Sequence, residues 1–108
     1  MLPIIGLIWL HFITDFLCQT DQMALNKSTS NKWLGIHVLT YSSLFFLFFG
    51  WKFALINGIG HFITDWITFR ATSYLWKKEE RHWFFVVIGF DQAIHMTTLL
   101  LTYKYLFL

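Results

Sequence analysis

The chain has 108 residues and a formal net charge of +2, and 56% of its residues are hydrophobic, 21% aromatic and only 13% charged. An ordinary soluble domain is about one quarter charged, and thirteen Phe with six Trp exceed what the core of so short a chain can hide from water. The composition therefore argues against a soluble globular protein and favours an all-α membrane protein. Because a membrane span needs about 20 mostly apolar residues, we expect a single domain, 1–108, with four transmembrane helices.

Four apolar stretches fit this expectation, at residues 2–18, 33–49, 52–69 and 83–108. The polar segment 19–32 follows the first stretch, and the pattern does not decide between a surface helix and an ordered loop. Ser30 or Asn31 is expected to cap the second helix, and residues 50–52 to form a tight turn. Gly58 and Gly60 would allow a neighbouring helix to approach the third helix closely.

One pentapeptide occurs twice in the chain. The sequence His-Phe-Ile-Thr-Asp runs from His11 to Asp15 and recurs letter for letter from His61 to Asp65. On an α-helix, residues i and i+4 lie on one face, one turn apart, so each copy points an imidazole and a carboxylate the same way. We therefore predict a four-helix bundle of two parallel-repeat helical hairpins, with halves at about 1–50 and 51–108. Their pseudo-two-fold axis would lie along the membrane normal.

The basic residues predict an orientation. Most of the Lys and Arg residues flank the first and third connections, namely Lys27, Lys32, Arg70, Lys77, Lys78 and Arg81. The positive-inside rule then places both long connections in the cytoplasm and both termini outside.

Seven ionisable side chains are expected to meet at one depth. At about 1.5 Å rise per residue, the helices would bring them to one layer in the inner half of the bilayer. The seven are His11, Asp15, His37, His61, Asp65, Asp91 and His95. Ionisable residues inside a membrane are costly and usually mark a functional site.

Imidazole and carboxylate together suit a divalent metal ion, with zinc favoured over iron or manganese. The predicted ligands are His11, Asp15, His61, Asp65 and His95. His37 is a ligand or a proton shuttle, and Asp91 is a ligand or a catalytic base. The repeat suggests two half-sites, and so one or two ions: His11, Asp15 and His95 in the first, and His61, Asp65 and His37 in the second. Three further residues are expected to hydrogen-bond the metal ligands without binding the ion themselves, namely Asn57, Gln92 and Tyr41.

Three classes of function remain open at this point. The first is a membrane-embedded metal-binding protein, in the fullest form a metal-dependent hydrolase acting on a lipid or amphiphile from the inner leaflet. The second is a small oligomeric proton or cation transporter or channel that uses the His and Asp residues as a relay. The third is a non-catalytic membrane partner protein in which the polar groups only hold helices together. The expected partners are the bilayer, a lipid substrate and further copies of the chain, and nothing in the sequence indicates nucleic-acid binding.

The motif His11-x-x-x-Asp15-Phe16-x-x-Gln19-Thr20-Asp21-x-Met23-Ala24-x-x-Lys27, followed by His37 and Tyr41, resembles a known family. It is similar to the small bacterial and phage membrane proteins of domain-of-unknown-function family 3307. The resemblance implies an integral protein of a bacterial, or phage-infected host, inner membrane, and it supplies no established activity. It also implies that Gln19, Asp21 and Lys27 belong to the site, where they would bind a headgroup or polar substrate.

Overall fold

The protein is helical in every part that the structure, a computed structural model, describes, namely residues 2–17 and 30–108. Four helices follow one another: α1 (Leu2–Phe12), which continues as a π-helical turn (Ile13–Leu17), α2 (Asn31–Phe49), α3 (Trp51–Lys77) and α4 (Arg81–Phe107). No strand occurs within these ranges. The all-α prediction is confirmed.

Local sequence signals explain where α2 begins and ends. Ser30 has extended backbone angles, and its hydroxyl accepts a hydrogen bond from the Trp33 N–H at 3.5 Å, as expected of an N-cap serine. Gly50 ends the helix with a φ of +91°, a conformation that glycine adopts without steric cost. Its N–H donates to the Phe46 carbonyl oxygen at 3.0 Å. The turn between α2 and α3 is therefore a single residue, tighter than the expected turn at 50–52.

α3 is longer than the expected span. The apolar stretch predicts an end at residue 69, whereas the helix continues to Lys77. Residues 70–77 contain neither Gly nor Pro, so nothing there interrupts the backbone hydrogen bonds. A turn at Lys78 and Glu79, where Glu79 has a φ of 60°, leads directly into α4. The charged connection is thus much shorter than expected.

α3 lies at the centre of the packing. It packs against both α2 and α4, while α1 contacts α4 and the π-helical turn contacts α2. The apolar core consists of Leu7, Tyr41, Phe45, Phe53 and Leu99. Large apolar side chains also cover the outside, where Leu39, Leu47 and Phe90 are each more than half exposed.

Among the described residues, two helices, α2 and α4, are long and apolar enough to cross a membrane. The apolar part of α1 with its π-helical turn is shorter than a span, and α3 is long enough but less apolar. The prediction of four spans is therefore met in part, and the division into two repeat halves stays a prediction.

Gly58 lies at a close approach of α3 to α2. A Cβ atom at this position would overlap the Ser42 Oγ atom and lie 3.4 Å from the Ser42 Cβ. The expectation of a close helix approach therefore holds at Gly58. At Gly60 a Cβ would make only an ordinary contact, 3.7 Å from the Thr98 methyl group.

We expect Gly58→Leu to lower the free energy of unfolding by about 1–3 kcal/mol, because the added side chain overpacks the α2–α3 contact. Thermal unfolding followed by circular dichroism in detergent measures the change. Gly89→Leu is the matched control, because a Cβ there meets nothing within 4 Å. Equal midpoints for the two variants would contradict the close approach.

Candidate metal centre

The seven ionisable residues singled out in the sequence come together inside the protein. None of them exposes more than 5% of its surface. Their ligand atoms form overlapping groups, and within each group the atoms lie within 4.8 Å of one another. The expected convergence is therefore present, whereas the individual roles assigned to these residues stay predictions.

Regular helical spacing positions most of these side chains. In α3, His61 and Asp65 are one turn apart, and the His61 Nε2 lies 2.9 Å from the Asp65 Oδ2. In α4, Asp91 and His95 have the same spacing, with 3.4 Å between the Asp91 Oδ2 and the His95 Nδ1. His37 reaches the cluster from α2, where it is fully buried.

The first copy of the pentapeptide has a different geometry from the second. Asp15 lies in the π-helical turn rather than in a regular α-helix, and its Oδ2 is 3.8 Å from the His11 Nε2. Its Oδ1 instead lies 2.9 Å from the Nε2 of His37 in α2. Single π-helical turns are rare and occur frequently at functional sites. Here the turn directs the first carboxylate across to another helix.

Four of these ligand atoms face a common point. They are the Asp15 Oδ1, the His37 Nε2, the His61 Nε2 and the Asp65 Oδ2, which we call the four-residue centre. Five separations among these atoms lie between 2.9 and 3.6 Å. Four ligands around a tetrahedral zinc ion, with bonds of about 2.0–2.1 Å, are separated by about 3.3 Å. The spacing and the donor types both suit such an ion.

Hydrogen bonds alone do not satisfy the four-residue centre. Each imidazole Nε2 carries at most one proton. The His37 and His61 Nε2 atoms are nevertheless 3.0 Å apart, and each of them lies within 3.6 Å of an oxygen of Asp15 and of an oxygen of Asp65. Within the described ranges, neither oxygen of Asp65 accepts a hydrogen bond of good geometry, although the His61 nitrogen is 2.9 Å away. A single cation at the common point would bind all four atoms at once.

Within the described ranges, the buried carboxylates of Asp15, Asp65 and Asp91 form ion pairs only with histidines. The Arg70 guanidinium is occupied elsewhere, at the Asn31 Oδ1 2.7 Å away. A buried carboxylate without a counter-charge is costly. Among the described residues, the positive charge available to these carboxylates is therefore that of protonated imidazoles, and a bound cation would add to it.

Gln92 and Tyr41 hydrogen-bond the cluster from outside the four-residue centre. The Gln92 Oε1 accepts from the His11 Nε2 at 2.8 Å, and its amide donates to the Asp15 Oδ2 at 3.3 Å and the Asp91 Oδ2 at 3.2 Å. The Tyr41 hydroxyl lies 3.1 Å from the His11 Nδ1, and its ring packs on His61 at 4.1 Å. These contacts suit the supporting role expected of both residues.

Asn57 makes a different contact from the one expected. It is buried in α3, and its amide nitrogen donates to the Phe53 carbonyl oxygen of its own helix at 3.0 Å. In its place the structure reveals Thr68, whose hydroxyl donates to the Asp91 Oδ1 at 2.5 Å. The sequence contained a signal for Thr68, since it lies one turn after Asp65 on the same face of α3.

The three residues implied by the family resemblance lie elsewhere in the chain. Gln19, Asp21 and Lys27 fall in the segment 18–29, outside the described residues. Their part in binding a headgroup or substrate stays a prediction.

Fold and site together define an all-helical protein with a buried cluster of His and Asp residues able to hold a metal ion. The chain belongs to the family described as "Protein of unknown function (DUF3307)", whose model matches residues 4–108. This confirms the resemblance drawn from the sequence motif. No curated protein and no solved structure matches the chain.

Replacing Gln92 by Leu should lower the free energy of unfolding by about 1–3 kcal/mol, because the buried partners of its amide would lose their hydrogen bonds. Chemical or thermal unfolding in detergent measures the loss. Thr97→Val is the matched control in the same helix, since the exposed Thr97 hydroxyl donates to the Ala93 carbonyl oxygen of its own helix. If both variants were as stable as the parent chain, the Gln92 amide would not hold the cluster together.

Proposed function

We propose that this chain is a membrane-embedded metal-binding protein and that the four-residue centre binds a divalent ion. The observation that carries the proposal is the convergence of two imidazole nitrogens and two carboxylate oxygens at separations of 2.9–3.6 Å. Zinc is the favoured ion because it prefers four ligands in a tetrahedron and accepts nitrogen and oxygen together. Iron and manganese also bind such ligands, with more ligands than these four atoms supply.

The surface and dimensions of the molecule support its insertion in a bilayer. Its extents are 44 × 25 × 20 Å, and a bilayer with headgroups is about 40–45 Å thick. Large apolar side chains cover the outside, while the cluster occupies the interior. Our proposal is that α1 and α3 cross the membrane beside α2 and α4. α3 is then about 40 Å long and extends beyond the hydrocarbon layer.

The basic residues support one orientation in the bilayer. The contact between Arg70 and Asn31 places the beginning of α2 and the second half of α3 at one end of the molecule. Lys32, Lys77 and Arg81 belong to the same end. By the positive-inside rule, we propose that this end faces the cytoplasm and that both termini lie outside.

Within this class, we propose metal-dependent hydrolysis of a lipid or amphiphile that enters from the inner leaflet. A bound ion would supply Lewis-acid activation of water or of a carbonyl or phosphoryl oxygen, for which its coordination would have to expand to a fifth ligand beyond the four protein atoms. Asp91 is buried beside the four-residue centre without belonging to it, and Thr68 and Gln92 hold its carboxylate in place. It is therefore positioned to accept a proton. A substrate that partitions into the bilayer would reach such a buried site through the apolar surface of the protein.

One observation favours proton or cation transport as the second candidate. A continuous series of hydrogen bonds runs from Tyr41 through His11 and Gln92 to Asp91 and Thr68. Linked polar groups of this kind carry protons in membrane transporters. The two candidates differ in whether a tightly bound ion is required.

Protein purified in detergent should contain at least one equivalent of zinc per chain, measured by elemental analysis. His61→Ala should lose this ion, because it removes one of the four converging ligands. His82→Ala is the matched control, since His82 is exposed in the first turn of α4 and should leave the metal content unchanged. A folded, metal-free parent chain that does not take up added zinc would contradict the proposal.

Asp91→Asn should retain zinc but slow hydrolysis of an ester or phosphoester lipid analogue by about 10²–10⁴-fold, the usual contribution of a general base. Glu79→Gln is the control for loss of an acidic group, because Glu79 is exposed in the turn before α4. If hydrolysis is absent from the parent chain and Asp91→Asn instead abolishes proton flux into liposomes, the protein is a transporter.

A further inference from the structure

Asp15 and Asp65 each direct only one carboxylate oxygen toward the four-residue centre. The second oxygen of Asp65, Oδ1, lies 3.3 Å from the His95 Nε2. The second oxygen of Asp15, Oδ2, lies on the side of Gln92 and His11. Asp15 and His95 also offer ligand atoms that lie within 4.8 Å of one another. Each carboxylate thus keeps one oxygen outside the four-residue centre, that of Asp65 beside His95 and that of Asp15 on the side of Gln92 and His11.

His95 carries buried polar atoms that no hydrogen bond explains. The residue is 3% exposed, and its ring stacks on the His61 ring at 4.0 Å with an interplanar angle of 9°. Among the described residues, neither His95 ring nitrogen nor the Asp65 Oδ1 has a hydrogen-bond partner of good geometry. Unpaired buried polar atoms of this kind are costly and call for a ligand.

We propose that a second divalent metal ion binds on this side of the two carboxylates. Its ligands are the His95 Nε2, the Asp15 Oδ2 and the Asp65 Oδ1, so that Asp15 and Asp65 each bridge two ions. Ions in two-metal centres of this type are about 3.5–4 Å apart. This inference rests on the proposed function, because the second site shares both carboxylates with the first.

A carboxylate lies behind the histidine of the second site. The Asp91 Oδ2 lies 3.4 Å from the His95 Nδ1 without a hydrogen bond of good geometry, on the side where carboxylates commonly contact metal-binding histidines.

His11 is not part of this ligand set, although the sequence analysis grouped it with Asp15 and His95. Both of its ring nitrogens are already engaged, by Tyr41 at 3.1 Å and by Gln92 at 2.8 Å. The second ion therefore has three protein ligands, whereas the first has four. Zinc sites with four protein ligands are typically structural, and catalytic sites keep an open position. The second site is then where a substrate or water would bind.

The test is zinc stoichiometry, measured by calorimetric titration of metal-free protein in detergent and by elemental analysis. The parent chain should bind two zinc ions, and His95→Ala should bind one. His95→Gln keeps the side-chain volume and a hydrogen-bonding group, so it provides a second test if the alanine variant does not fold. His11→Ala and the exposed control His82→Ala should both retain two.

Each outcome separates the two proposals. A folded parent chain that binds no zinc overturns the proposed function together with this inference. A parent chain that binds one ion, lost in His61→Ala and kept in His95→Ala, overturns the second site and leaves the first intact. Two ions in both His95 variants, or only one in a folded His11→Ala, would overturn the proposed ligand set.

Discussion

The buried carboxylates of Asp15 and Asp65 are the constraint on which the rest of the structure depends. They are 4% and 0% exposed inside a protein whose outer faces are apolar, and within the described ranges their ion pairs are all with histidines. A charged pair of this kind is tolerated only when a nearby positive charge compensates it. α3 packs between α2 and α4, and these three helices supply the imidazoles of His61, His37 and His95 that face the two carboxylates. A bound metal ion would compensate both carboxylates and join three separate segments of the chain.

Two identical pentapeptides adopt different backbone conformations, and this difference defines the site. Thr14 is fully buried in the π-helical turn and donates to the Leu10 carbonyl oxygen, whereas its counterpart Thr64 is only partly buried in a regular helix. The extra residue in the turn rotates Asp15 away from His11 and toward His37. Gln92 then occupies the space beside His11. The two halves of the cluster are consequently unequal, and our proposals give them different roles.

The sequence predicted most of the cluster because helical spacing fixes which face a side chain occupies. His61 with Asp65 and Asp91 with His95 could be placed from the i, i+4 rule alone. The π-helical turn could not be predicted in this way, since the same five residues form a regular α-helix in α3. Whether the pentapeptide forms a π-helical turn or an α-helix depends on its packing, which for the first copy is against α2. The Gln92 contacts also depend on the relative rotation of α1 and α4, which periodicity does not determine. The predicted length of α3 is too short, because a charged residue such as Arg70 ends an apolar stretch without breaking the helix.

X-ray absorption spectroscopy at the zinc edge, on protein loaded with one equivalent of zinc, tests the central claim most directly. The four-residue centre predicts four nitrogen or oxygen neighbours at about 2.0–2.1 Å, together with the outer scattering that imidazole rings produce. The imidazole contribution should fall by about half in His37→Ala, because one of two rings is removed. A spectrum with six oxygen neighbours and no imidazole scattering, unchanged by that substitution, would contradict the account.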